Sequence, residues 1–212
     1  AGRRFGKSYL SAWLLLINAI QSESKDVFYV APTFQQGKDI MWSLLKELGQ
    51  DLIAAAHENT ATLTLINGRK IYIKGSDRPD TLRGNAASFL VLDEYSSMKP
   101  VVWEQILRPV LADVRGSCLM ISTPAGKNHF YDTYNDALED DDWDAFQFNS
   151  TDNPFLPEDE VEAARKNMSS MAFRQEFEAS FETGSGGIFN ESWFKVDDEP
   201  EEGNFVIAVD PA

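Results

Sequence analysis

One cysteine, two histidines and a shortage of basic residues set the first limits on this 212-residue chain. With Cys118 alone, no intrachain disulfide can form. Cys118, His57 and His129 are too few for a zinc cluster of thiolates and imidazoles. The longest apolar stretches fall well short of the roughly 20 residues that cross a bilayer as a helix, so no membrane partner is expected. The chain opens inside its first motif, so targeting is not readable from this N-terminus. Lys and Arg number 19 against 34 Asp and Glu, a formal net charge of −15. That excludes a uniformly basic protein that coats nucleic acid. The deficit is uneven, however. Through Asn128 there are fifteen basic and twelve acidic residues, and from His129 onward four and twenty-two. The first part therefore retains room for a local basic strip.

What is present reads as an ordinary globular chain, 43% hydrophobic and 25% charged. A glycine-containing loop, Ala1–Ser8, runs into an apolar, helix-like stretch, Tyr9–Ile20. Val27–Thr33 is β-branched, aromatic and apolar, and reads as a buried strand ended by Pro32. Gln35–Leu48 has helical spacing, with Ile40, Met41, Leu44, Leu45 and Leu48 on one side. Leu63–Ile66 and Lys70–Lys74 flank Asn67-Gly68, a hairpin signal. Phe89–Leu92 is continuously apolar, as a strand covered on both faces requires. Helices are expected over Val101–Val114, Phe130–Leu138, Glu158–Met168 and Ala172–Phe181. Cys118–Ser122 is a further buried strand, and Asp144–Ser150 a candidate one. Strands alternating with helices imply an α/β fold with a mostly parallel central sheet flanked by helices. Thr183–Gly187 is a flexible break and Asp197–Gly203 an acidic linker, after which Phe205–Val209 starts a new apolar strand.

Four motifs carry chemistry. Ala1-Gly2-Arg3-Arg4-Phe5-Gly6-Lys7-Ser8 matches the P-loop pattern, with Ala1 at the usual first glycine. Such a loop turns backbone N–H groups and a helix N-terminus toward an anion; Lys7 is the cation and Ser8 the Mg²⁺ ligand. The second motif, Phe89–Glu94, is a buried strand delivering two carboxylates at its C-terminal end, where ligands bind in open α/β sheets. Asp93 suits the metal side and Glu94 the general base. Ser122, Thr123 and Pro124 end another apolar strand. Hydroxyls there suit sensing of a γ-phosphate, and equally a cap before a turn. Arg83, in Leu82-Arg83-Gly84, suits either a surface salt bridge or an arginine facing a transferred phosphoryl group, as do Arg3 and Arg4.

The ordered set GRRFGKS, APT, LRG, FLVLDE, ISTP, NHFYDTY and VIAVDPA resembles the large terminase subunits of tailed bacteriophages over essentially the whole chain. The resemblance implies a P-loop NTPase core of the ASCE, RecA-like kind over residues 1–150. A lid subdomain over 151–183, a linker over 184–204 and the first strand of an RNase H-like nuclease over 205–212 follow. It implies ATP and Mg²⁺ as ligands, bound by Gly2 to Ser8 with Asp93. It makes Glu94 the catalytic glutamate, Ser122, Thr123 and Pro124 the coupling motif, and Arg83 a finger offered to a neighbouring subunit. Arg3 is the rival, acting within its own subunit. Asp210 matches the first nuclease metal ligand. The adenine-contacting segment and first strand are expected upstream of Ala1, and no nuclease activity is expected of this chain. The implied function is ATP-driven translocation of double-stranded viral DNA into a procapsid, in the host cytoplasm. The implied partners are the portal, the small terminase subunit and further copies in a ring. A helicase-like or repair ATPase is the alternative, and a non-enzymatic nucleotide switch a third. Lys70, Lys74 and Arg78 are candidate DNA-facing residues. Trp13, Trp42 and Trp103 are read as packing residues, as are Tyr131 and Tyr134 ahead of base stacking.

Overall fold

A computed structural model of the chain describes residues 1–23, 25–84 and 86–182. The expectations for 184–204 and 205–212, with Asp210, lie outside them. Residues 1–182 form one unit. Its elements are α1 (Lys7–Gln21), β1 (Asp26–Ala31), α2 (Phe34–Leu48), β2 (Ile53–His57), β3 (Thr62–Leu65), β4 (Lys70–Gly75), β5 (Ala87–Asp93), α3 (Pro100–Val102), α4 (Arg108–Ala112), β6 (Ser117–Ile121), α5 (His129–Glu139), α6 (Glu158–Asn167) and α7 (Ser170–Phe177).

The six strands lie in the order β2-β3-β4-β1-β5-β6. β1 pairs in parallel with β4 and β5, and β5 in parallel with β6; β2-β3 and β3-β4 are antiparallel. Central strands alternate their side chains between two cores. Val27, Tyr29, Ala31, Phe89 and Val91 join α1 and α2 residues such as Leu15, Leu16, Met41 and Leu45. Phe28, Val30, Leu90 and Leu92 face the other way, toward Tyr95, Met98, Leu107 and Leu111. Continuous apolar runs are what a strand covered on both faces demands. Where such parallel strands end, β1 and β5 deliver Ala31 and Asp93 to the same edge of the sheet.

Several expectations need correction. The strand over Asp144–Ser150 does not form. A strand exists only with a ladder partner, and this segment instead gives the Phe148 carbonyl to the Gly2 N–H at 2.9 Å. Its last residue, Ser150, opens a 3₁₀ turn. The helix over Val101–Val114 is interrupted by a π-helical segment, Trp103–Leu107, where the Arg108 N–H reaches the Trp103 carbonyl. Pro109 follows directly; proline has no N–H and its ring crowds the preceding turn, which a wider turn relieves. Ile53–His57 is alanine-rich and carries no local strand signal; its pairing with β3 makes it the strand β2. The last helix is Ser170–Phe177 rather than Ala172–Phe181; the Ser169 hydroxyl accepts from the Ala172 N–H and fixes its start. Trp13 and Ile40 are exposed rather than packed. Trp42 is buried and donates to Glu58 at 2.7 Å. Trp103 meets Trp143 edge to face. Tyr131 and Tyr134 pack on Phe181, each with 5.3 Å between ring centroids.

Candidate functional site

The loop Ala1–Gly6 enters α1 through Gly6, whose φ of 109° no other residue type adopts cheaply. A Cβ on Gly6 would meet nothing within 4 Å, so conformation rather than space requires glycine. No side chain caps α1, and no acid lies in its first turn. The first amides of a helix have no intrahelical acceptors. This N-terminus is thus free to bind an anion.

Lys7 lies across the loop. Its Nζ donates to the carbonyls of Ala1 (3.0 Å) and Gly2 (2.9 Å) and to Thr123 Oγ1 (3.3 Å). Burial pulls its ammonium below the ordinary lysine range, while Glu94 and Asp93 oppose that shift. Glu94 lines the same cleft as Lys7, and Asp93 directly precedes it at the end of β5. A cleft of about 400 Å³ is lined by Arg3, Arg4, Phe5, Gly6, Lys7, Ser8, Tyr9, Glu94, Thr123 and Glu176.

Asp93 is buried at the end of β5. Burial raises its carboxyl pKa, a hydrogen bond from Tyr29 lowers it, and the nearby Glu94 adds to the rise. The Tyr29 hydroxyl donates to Asp93 Oδ2, and the Glu94 N–H donates to Asp93 Oδ1 at 2.9 Å. Glu94 itself holds a left-handed backbone, φ 51° and ψ 46°. That conformation costs a residue with a side chain about 1–3 kcal/mol and is concentrated at functional sites. It turns the chain sharply away from β5 directly after Asp93.

Ser122 and Thr123 are buried and bridge the two acidic and basic poles. Ser122 Oγ lies 3.1 Å from Glu94 Oε2 and 2.6 Å from Ser96 Oγ. Thr123 accepts from Lys7, and its carbonyl accepts from Ser96 Oγ at 3.1 Å. Asn128 caps α5 with one end of its side chain and donates to the Ser96 carbonyl with the other, at 3.0 Å. Pro124 is buried beside them. The Ser96 hub carried no signal in the sequence.

Arg3 and Arg83 differ in setting. Arg3 Nε pairs with Glu176 Oε2 on α7 at 2.6 Å. Arg83 is more than half exposed, pairs loosely with Asp80 at 3.6 Å and does not line the cleft. The loop backbone is also tied to the segment after α5. Arg3 N–H donates to the Glu176 carbonyl (2.7 Å), Ser150 Oγ to the Arg3 carbonyl (2.6 Å) and Asn153 Nδ2 to the Arg4 carbonyl (2.6 Å). Phe5 stacks on Phe148, centroids 4.7 Å apart. These partners were invisible in the sequence, since nothing local to Ser150, Asn153 or Glu176 marks them.

Among the expected DNA-facing residues, Lys74 and Arg78 line a separate cleft of about 530 Å³ with Thr33, Gln35 and Asn59. Burial lowers the Lys74 ammonium pKa. Lys70 is exposed at the start of β4. No helix among the described residues is long and apolar enough to cross a membrane.

The terminase large subunit of Escherichia phage T5 is 30% identical over 198 residues, covering 89% of this chain and 44% of that protein. The terminase large subunit of Thermus virus P23-45 is 24% identical, covering 89% of this chain and 46% of its own length. The chain thus spans less than half the length of these relatives. The large terminase ATPase domain of Thermus phage P74-26 superposes with a TM-score of 0.74 at 24% identity, covering 85% of this chain and 86% of that one. A large terminase from a thermophilic bacteriophage in complex with ADP gives 0.73 at 18% identity, covering 86% of this chain and 47% of that one. The family model described as terminase large subunit, T4likevirus-type, N-terminal, matches residues 1–196. With Lys7, Ser8, Glu94 and Thr123 lining one cleft of an α/β fold, and with the family model matching most of its length, this chain belongs to that terminase large subunit family.

Proposed function

We propose that the chain hydrolyses ATP and that hydrolysis drives double-stranded DNA into a viral procapsid. The single observation that carries the first half is the cleft in which Lys7, Ser8, Glu94 and Thr123 meet below an uncapped helix N-terminus. Oxygen donors and open backbone amides fit a triphosphate with its metal. Ser8 and Asp93 would hold Mg²⁺, which when bound neutralises charge on the phosphoryl oxygens. Gly2 to Ser8 form the phosphate cradle, with Lys7 leaving its loop carbonyls for the β and γ oxygens.

Glu94 orients and polarises the attacking water. Its Oε2 is already steered by Ser122, which leaves Oε1 for that task. Ser122, Thr123 and Pro124 link Glu94 to Lys7, so they sense whether the terminal phosphate is present. The lid covers residues 151–183, and the contacts of Glu176 and Asn153 with the P-loop support its coupling to nucleotide state. Arg83, exposed and away from its own cleft, serves a neighbour's ATP in a ring. Arg3 acts in cis. Lys74 and Arg78 face the DNA backbone. Portal and small subunit are the remaining partners, and the setting is the host cytoplasm. The relative solved with ADP supports nucleotide binding in this fold.

The experiment is a paired assay on the full-length protein. Glu94→Gln is expected to lower kcat for ATP by about 10²–10⁴ while nucleotide binding persists. Lys7→Ala loses the binding itself. A Glu94→Gln protein that turns over ATP at the parent rate would remove Glu94 from the mechanism.

A further inference from the structure

We infer that Tyr29 is a positioning residue for ATP hydrolysis: its buried hydroxyl fixes the Asp93 carboxylate and, through it, the backbone turn that aims Glu94 into the cleft. This rests on the ATPase reading above. Tyr29 sits on β1 opposite Val91 of β5. Asp93 lies two residues further along the neighbouring strand, on the same face, offset by about 6.6 Å along the strand direction at the usual rise. A tyrosine hydroxyl spans that distance; a serine or threonine hydroxyl would fall short, and phenylalanine offers no donor.

The ring is fully buried among apolar residues such as Leu15, Val27 and Val91. A buried phenol needs a partner, and this one donates to Asp93 Oδ2. The other carboxylate oxygen accepts from the Glu94 N–H at 2.9 Å. Each oxygen therefore holds one hydrogen bond, which sets the plane of the carboxylate and leaves its remaining lone pairs for a metal. The second bond anchors the residue whose left-handed backbone most needs support. For core packing alone phenylalanine would serve, without the cost of burying a hydroxyl.

Tyr29→Phe in the full-length protein tests this. Three readouts are compared with the parent. The first is ATP turnover with Mg²⁺ varied. The second is amide hydrogen exchange of the segment 93–97 without nucleotide or metal. The third is thermal unfolding. Loss of a hydrogen bond to a charged group predicts about a tenfold fall in kcat and a several-fold rise in the Mg²⁺ concentration at half-maximal rate. Exchange over 93–97 quickens by about tenfold. Val91→Ala, which trims the same face without touching the hydroxyl, is expected to lower the unfolding temperature and leave Mg²⁺ dependence and local exchange unchanged. Turnover, Mg²⁺ dependence and exchange all within twofold of the parent would overturn the proposal. So would a Tyr29→Phe profile indistinguishable from that of Val91→Ala. A parent that hydrolyses no ATP would overturn the ATPase reading instead, and the metal-free exchange would still decide the role of Tyr29.

Discussion

Gly2→Ala probes the junction between the phosphate loop and the segments that follow α5. A Cβ there would lie 2.6 Å from the Phe177 carbonyl and 2.8 Å from the Ser150 amide nitrogen, and closer still to Ser150 Oγ. Two of those three atoms are backbone and cannot rotate away. The loop must therefore lift from α7 and from the turn at Ser150. Lifting strains three bonds at once: Gly2 N–H to Phe148 (2.9 Å), Arg3 N–H to Glu176 (2.7 Å) and Ser150 Oγ to Arg3 (2.6 Å). Forcing one methyl into a packed site costs about 1–3 kcal/mol. For a unit of this size each kcal/mol lowers Tm by about 2–4 °C, so a fall of about 5 °C is expected by calorimetry. Because the loop also forms the cleft, KM for ATP should rise together with the loss of stability. Adding Ser150→Gly removes the nearest of the three clashes but also the bond to the Arg3 carbonyl and leaves both backbone clashes, so it is not expected to restore Tm. A Gly2→Ala protein with parental Tm and parental KM would show that the loop and α7 are not in contact, and the reasoning would fail.

Three further expectations follow from the same geometry. Arg83→Ala should abolish ATP turnover only under conditions where copies assemble, and mixing with a Lys7→Ala protein should restore part of it; equal loss in the dilute monomer would make the arginine cis-acting. Arg3→Ala should instead lower turnover at every protein concentration, by breaking the pair with Glu176 at the cleft. Asp93 has a carboxyl pKa raised in the fold, chiefly by burial. Its contribution to stability is therefore fully present below its unfolded pKa and is lost as pH rises through the higher folded value. Asp93→Asn should remove that loss, giving a Tm at pH 7 at or above the parent's while hydrolysis disappears; a Tm profile parallel to the parent's from pH 4 to 7 would contradict it.

The candidate site of this chain is legible because its pattern is written locally. A P-loop needs Gly6, Lys7 and Ser8 in consecutive positions, since one turn of backbone and one helix N-terminus must face one anion. Asp93 and Glu94 follow a run of apolar residues because a strand covered on both faces has no other way to reach the ligand edge of a sheet. The Asn67-Gly68 hairpin and most helices were fixed by periodicity and turn residues in the same way. Other features depended on atoms far away in sequence. Whether Asp144–Ser150 is a strand depends on a ladder partner, which no local pattern reports. Ile53–His57 became a strand through β3 despite its alanines. The π-helical turn before Pro109, the left-handed backbone of Glu94 and the Ser96 hub express packing between separate elements. Tyr29 reads in sequence as one more aromatic in a core strand. Only the register of β1 against β5 puts its hydroxyl on Asp93, because strand alignment, not composition, decides which buried polar atoms meet.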